Sequence, residues 1–304
     1  MTEPNQDLAA TQQTIAIGGD LLVGRIGFGA MQLTGAKVWG EYPDREAGIT
    51  LLQQVVEAGV TFIDTADTYG PHSNESLIRD ALCPYPKDLV IATKGGFVRG
   101  GPEYDDVDAV GNRIYLRQCV YTSMRRLGLD QIDLYYLHTP TATDVPFEDQ
   151  VETLAEMRRE GLIRHIGLSN LSAEQFRSAQ QIAHIAAVTA HYNVGVRLGA
   201  DLLDAAEAAG VVFSPWHPAA VPKDDTALRF NAVLQPIAQR HHATVQQLAL
   251  AWQLHRSPLT LPIPGTTSVE HLNENLAAAA ITLTPEDVGA ITTLMPETTG
   301  ERNN

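Results

Sequence analysis

Eight short β-rich runs alternate with longer amphipathic stretches along this chain, and no other feature narrows the possible folds so far. The runs are RIGFGAM, TFIDT, LVIATK, IDLYYLH, IRHIGLSN, AAVTAHYN, GVVFSPW and LTLPIPG. Between them, apolar residues recur at helical spacing in stretches such as DREAGITLLQQVVEAG, NRIYLRQCVYTSMRRLG, FEDQVETLAEMRREG and DLLDAAEAAG. Alternation of this kind builds parallel sheet, because each helix returns the chain to the start of the next strand. Eight strands with about eight helices predict a closed (β/α)8 TIM barrel, an α/β fold. An open doubly wound sheet is the competitor. Its dinucleotide loop needs glycines at a fixed spacing between strand and helix, whereas GRIGFG is spaced differently and runs into a loop around Lys37 and Trp39.

Ahead of the first run, TIAIGGDLLVG predicts an N-terminal β-hairpin turning at Gly18-Gly19-Asp20. Helix starts are also marked. Ser172 with Gln175 and Thr244 with Gln247 fit capping boxes, and Thr284-Pro285-Glu286-Asp287 offers a cap, a proline at the first helical position and acids at the positive end. No linker rich in Pro, Gly or Ser divides the 304 residues. One barrel domain over 1–304 is therefore expected, with loose tails at 1–12 and 297–304.

Composition excludes several classes of function. A formal net charge of −15, with no Lys/Arg cluster, argues against nucleic acid and anionic membrane surfaces as partners. The N-terminal MTEPNQDLAATQQ has neither a basic nor an apolar segment of a secretion signal, and no run of about 20 apolar residues exists to span a bilayer. A cytoplasmic protein is expected, with Cys83 and Cys119 as reduced core residues.

In a barrel, chemistry collects at the C-terminal ends of the strands. Those ends here carry Asp64, Lys94, His138, Ser169-Asn170, Tyr192-Asn193, Trp216-His217 and Gly265-Thr266-Thr267. Asp64, in FIDTADTYG, ends an apolar run and needs a partner, since burying a lone carboxylate is costly. Lys94 on the neighbouring strand can supply it, and Tyr69 can fold back over both. An ammonium near a phenol favours the phenolate, so Lys94 is expected to lower the pKa of Tyr69 and make it a proton donor near neutral pH. His138 could orient a carbonyl oxygen at the same place. The cluster suits a carbonyl becoming an alkoxide as a hydride reaches its carbon. Two other readings stay open: Lys94 as the nucleophile of a Schiff-base aldolase, which a nearby Asp64 opposes, and a barrel that binds a cofactor without turnover. No metal is expected. His241-His242 face different ways and lack further ligands, and His165 and His184 read as packing or surface residues. GGFVRGG lacks the ending of a phosphate loop and is expected to form a mobile loop over the rim.

The ordered set FIDTADTYG, IATKGG, DLYYLHTP, GLIRHIGLSN, HYN, PWHP and PIPGTTSVEHLNEN resembles the aldo-keto reductase family over nearly the whole chain. GFGAMQLTGAKVWG and IPGTTS are most similar to bacterial pyridoxal-reductase-like members. The resemblance implies NADPH-dependent, reversible reduction of an aldehyde or ketone, with catalytic Tyr69, Asp64, Lys94 and His138. It also implies cofactor contacts from Gly29, Ala30 and Met31 near the nicotinamide, and from Ser169 and Asn170 at its carboxamide. Trp216 is expected to stack under the ring, with His217 and Pro218 following it. Gly265, Thr266, Thr267 and Ser268 fall beside the adenosine ribose and its phosphate, and His271, Glu274 and Asn275 around the adenine. Trp39 and Tyr104 are candidate substrate walls, and the protein is expected to be a monomer or weak homo-oligomer. Two departures stand out. Thr189 replaces a glutamine that many members place on the carboxamide, and Gly265 and His271 replace a basic pair near the 2′-phosphate, which leaves NADH open beside NADPH.

Overall fold

The chain enters through the expected hairpin. Strand β1 (Thr14–Ile17) pairs antiparallel with β2 (Leu21–Gly24). Its turn needs Gly18 and Gly19, whose φ angles of 63° and 89° are strained for any side chain. The computed structural model describes residues 14–295, so the tails expected at 1–12 and 297–304 lie outside the described residues.

The hairpin seals the barrel floor, where the parallel strands begin. Gly24 donates to the Thr61 hydroxyl at 2.9 Å, and Asp20 meets the ring of His165 at 2.6 Å. Ile15, Ile17, Leu21 and Val23 pack among Phe62, Val90, Ala92 and Leu134, the inward side chains of the strands above. Those strands are β3 (Phe28–Gly29), β4 (Phe62–Asp64) and β5 (Val90–Gly95), then, after a hairpin of β6 (Phe97–Arg99) and β7 (Val107–Ala109), β8 (Ile132–Leu137), β9 (Ile163–Ser169), β10 (Ile185–His191) and β11 (Val212–Trp216). Apart from the β6–β7 hairpin, they form one parallel sheet in the order β3-β4-β5-β8-β9-β10-β11.

The eighth stave is LTLPIPG. It lies between β11 and β3, bonding Phe213 on one side and, on the other, accepting at the Pro262 and Pro264 carbonyls from the N–H groups of Gly27 and Gly29. Pro262 and Pro264 have no N–H, so this segment accepts toward β3 but cannot return the bonds, and it closes the (β/α)8 barrel without a full ladder.

Around the barrel run α1 (Arg45–Glu57), α2 (Ser73–Leu82), α3 (Arg113–Leu127), α4 (Phe147–Arg159), α5 (Ala173–Ile182), α6 (Ala200–Ala208), α7 (Ala227–Arg240), α8 (Val245–Arg256), α9 (Val269–Ala277) and α10 (Pro285–Thr292). The capping boxes open α5, α8 and α10, with Pro285 in the first position of α10. Among the described residues, no helix is long and apolar enough to cross a membrane.

Three expectations need correction. Cys83 is exposed rather than in the core, because it sits where α2 has already ended; Cys119 is buried, and both thiols are free. GGFVRGG is a paired hairpin strand, since residues 97–99 find antiparallel partners at 107–109. The sixth barrel strand ends at His191, not at Tyr192-Asn193: Tyr192 turns into the core against Trp252, with ring centroids 5.6 Å apart.

Candidate active site

The strand ends converge on a cleft of about 980 Å³ at the barrel mouth. Asp64 ends β4 and Lys94 lies near the end of β5, its adjacent strand, so their side chains rise side by side. Each is only 3% exposed. The Lys94 ammonium donates to the Asp64 carboxylate, to the Thr65 carbonyl at 2.9 Å and to the Tyr69 hydroxyl at 3.5 Å. Tyr69 is held above them by the loop after β4, which stays tied to β5 through Thr65 N–H to Ala92 O (2.8 Å) and Asp67 N–H to Lys94 O (3.1 Å). His138, one residue past β8, lines the same cleft 6.1 Å from Tyr69 between ring centroids.

The electrostatics depart from the expectation on one point. Burial would push Lys94 down, but the oxygens of Asp64 and Tyr69 outweigh it and hold the ammonium above the ordinary lysine range. Burial pushes the Asp64 carboxyl up against the pull of Lys94. For Tyr69, Lys94 does favour the phenolate, yet burial is the larger influence and Asp64 opposes, so the phenol pKa ends above, not below, its ordinary value. Burial and the charge on Lys94 drive His138 well below the ordinary histidine range, leaving a neutral imidazole whose buried Nδ1 has no hydrogen-bond partner. Asp67, the second acid of FIDTADTYG, is buried away from the ammonium, and burial with the neighbouring Glu75 charge raises it to about 8.

On the other side of the cleft, Trp216 donates its indole N–H to Asn170 Oδ1 at 3.1 Å, and Asn170 in turn donates to the Ser169 hydroxyl at 3.0 Å. Thr189, in register between Ser169 and Ser214, also lines the cleft. His217 and Pro218 line it on a loop fastened from behind, where Asn193 donates to the His217 carbonyl and Gln253 to that of Pro218. Farther along come Thr266 and Thr267 just before α9, and His271, Glu274 and Asn275 on it. Gly29 and Gly265 reach the cleft as well, and their lack of side chains has a packing cause: a Cβ on Gly265 would fall 2.6 Å from the Gly29 carbonyl, and one on Gly29 2.7 Å from that of Ile263. Met31 completes the expected set that lies on the cleft.

Ala30, Ser268 and Trp39 lie off it. Ala30 is buried, and its carbonyl accepts from Asn74. The Ser268 hydroxyl instead caps α9 by accepting from His271 N–H. Trp39 sits behind Arg99, whose guanidinium lies 5.4 Å from its ring, and the cleft wall there is Arg99 with Tyr104.

Several supporting residues escaped the sequence reading. Buried Asn74 on α2 bonds Ala30 and Leu33 carbonyls while accepting from the Thr65 hydroxyl, joining the loops that follow β3 and β4. Glu75 accepts from Thr93, next to Lys94, and pairs with Arg126. His191 stacks on Trp216, with centroids 4.0 Å apart and planes 14° from parallel. No sequence motif marks Asn74 or Glu75, and His191 opens the HYN stretch, which says nothing of a ring stacked on Trp216. As for metals, no group of three His, Cys, Asp or Glu among the described residues is placed to hold an ion, and His241 bonds Asp287 at 2.9 Å.

A family model described as the aldo/keto reductase family matches residues 25–295. The chain belongs to this family. Escherichia coli pyridoxine 4-dehydrogenase is 39% identical over 280 residues, 88% of this chain and 93% of that relative. An uncharacterized oxidoreductase of Schizosaccharomyces pombe is 42% identical over 94% of this chain and 91% of its own length. Among solved structures, an aldo-keto reductase from Klebsiella pneumoniae in complex with NADPH superposes with a TM-score of 0.78 at 26% identity, covering 95% of this chain and 97% of the other. The family match runs from before the first barrel strand to beyond the last helix, so this aldo/keto reductase carries the family's domain over its whole barrel.

Proposed function

We propose that this aldo/keto reductase reduces small aldehydes and ketones to alcohols, reversibly, with Tyr69 as the general acid. The observation that carries the reading is the buried Asp64–Lys94 pair set against the Tyr69 hydroxyl in a cleft that His138 shares. The NADPH-bound Klebsiella relative supports NADP(H) as the cofactor, and bound NADPH supplies the hydride. The donor set fits such a group: an indole face at Trp216, carboxamide and hydroxyl groups at Asn170, Ser169 and Thr189, and the positive end of α9 for an anionic part.

Each protein group then has a task. The neutral His138 ring and the Tyr69 hydroxyl hold the carbonyl oxygen, and Tyr69 releases its proton to that oxygen as negative charge builds there. Lys94 stabilises the phenolate left behind, and Asp64 keeps the ammonium in place. Because Lys94 stays protonated, it is a poor nucleophile, which counts against an aldolase.

The pKa directions dictate the pH dependence. Reduction needs the Tyr69 proton, and a phenol raised above its ordinary value keeps it through neutrality and beyond. Reduction is therefore expected to be flat from pH 6 to 8, with no loss from His138, whose proton binds only well below the ordinary histidine range (about 6.5). Alcohol oxidation needs the phenolate and is expected to climb steadily on the alkaline side. Initial rates in both directions check this, and a reduction rate that falls between pH 7 and 8 contradicts the assignment.

The test of the function is a panel of aldehydes and ketones, pyridoxal among them because of the E. coli relative, run with NADPH and with NADH. NADPH oxidation with several members is expected. With Gly265 and His271 in place of a basic pair, the margin over NADH is expected to be modest, about tenfold or less, one lost surface charge contact being worth about 1 kcal/mol. Tight NADPH binding without turnover on any member would instead favour a binding subunit.

A further inference from the structure

Besides Lys94, the cleft is lined by two further cations, Lys223 and Arg99, and the chemistry above gives no task to Arg99. It ends β6 two residues after Phe97, so both side chains stand on the same face of the strand. The Phe97 ring packs edge-on against His138, with centroids 4.7 Å apart, and Val107, the cross-strand partner of Arg99, lines the cleft beside it. The guanidinium is thus carried on the same strand face as the ring that packs on His138, at the wall of the same cleft.

The partners of Arg99 are unusual for a half-buried cation. It donates to the carbonyls of Lys37 (3.3 Å), Val38 (3.4 Å) and Glu103 (2.8 Å), and its Nε is buried without a partner. Among the described residues, no carboxylate lies within ion-pair distance of it; the side chain of Glu103, on the hairpin loop, pairs with Lys37. Carbonyl dipoles and the Trp39 ring fix where the charge sits without neutralising it. A planar cation held rigid, partly dehydrated and lacking a counter-charge at a cleft wall is suited to an oxyanion brought by the ligand.

We propose that Arg99 selects carbonyl substrates bearing an anionic oxygen group, a carboxylate or a phosphate, a few bonds from the carbonyl. The inference rests on the reductase reading and names the substrate class of that same cleft. Lys223 lies on the stretch that follows His217 and Pro218, both assigned to the cofactor, whereas Arg99 shares its strand with the residue packed on His138, which assigns it to the substrate side.

The test measures kcat/KM for matched pairs, 4-oxobutanoate against butanal for the carboxylate and pyridoxal 5′-phosphate against pyridoxal for the phosphate, with wild type, Arg99→Gln and Arg99→Lys. Wild type is expected to favour the anionic member of at least one pair by tenfold or more, and the pair that responds identifies the group. Arg99→Gln is expected to cut that ratio at least tenfold, mainly through KM, and Arg99→Lys to restore part of it. If Arg99 only staples the hairpin to residues 37–38, both members of a pair fall together and the ratio stays put, which overturns the proposal. A tenfold rise in the NADPH Kd of Arg99→Gln with unchanged ratios overturns it too, by placing the charge on the cofactor. Turnover of neutral aldehydes without any anionic preference defeats this inference alone; no turnover with any compound defeats the reductase reading and this one with it.

Discussion

Tyr69→Phe is expected to lower kcat for carbonyl reduction by about two to four orders of magnitude, the range a positioned general acid contributes. The substitution removes one oxygen and leaves the ring. That oxygen's bond from Lys94 is long, at 3.5 Å, and Lys94 keeps its stronger partners, Asp64 and the Thr65 carbonyl. The fold should therefore be little disturbed, and the NADPH Kd should stay within a few fold of wild type. The pH profile is the sharper readout. With the phenol gone, the alkaline rise expected for alcohol oxidation should vanish from whatever activity remains. Rates near wild type, or an unchanged alkaline rise, would show that the proton comes from elsewhere.

How far the site could be read from sequence follows from what each residue depends on. Asp64, Lys94, His138, Ser169 and Trp216 are legible because barrel topology alone sends strand ends to one rim, and finding those ends needs only the run of apolar residues before them. Residues whose role depends on a loop's path are not legible in this way. Asn74 matters because it meets two loops at once, and His191 because the β10–β11 register sets it beside Trp216, where the two rings stack. Arg99 was hidden inside a segment that looked like an unstructured glycine-rich loop, and only the pairing of β6 with β7 shows which face it shares with Phe97. Trp39 lies off the cleft lining in the same region, where the hairpin sets the Arg99 guanidinium against its ring. The sign of the Tyr69 shift was a contest of magnitudes. The attraction of Lys94 could be inferred from adjacency, but how deeply the ring is buried could not, and burial is what decides the direction.

Lys94→Met tests the buried pair as a matter of stability. The variant leaves Asp64 in a site 3% exposed with its cation gone, and removing one member of a buried pair typically costs about 3–5 kcal/mol. The carboxyl has an escape, because it can take up a proton. Burial already raises its pKa, and the pull of Lys94 is the main influence holding it down, so the variant's Asp64 titrates higher still. A group whose pKa is higher folded than unfolded binds more protons in the folded state, and stability then rises as pH falls toward the unfolded value of about 3.9. The destabilisation relative to wild type is accordingly expected to be greater at pH 8 than at pH 5, as read by urea denaturation at both. Adding Asp64→Asn removes the charge altogether, so the double variant should recover much of the lost stability at pH 8 and lose the difference between the two pH values. Equal loss at both pH values, or no recovery in the double variant, would mean that Lys94 supports the barrel through its packing and its bond to Thr65 rather than through its charge on Asp64, and the electrostatic account of Tyr69 would lose its foundation with it.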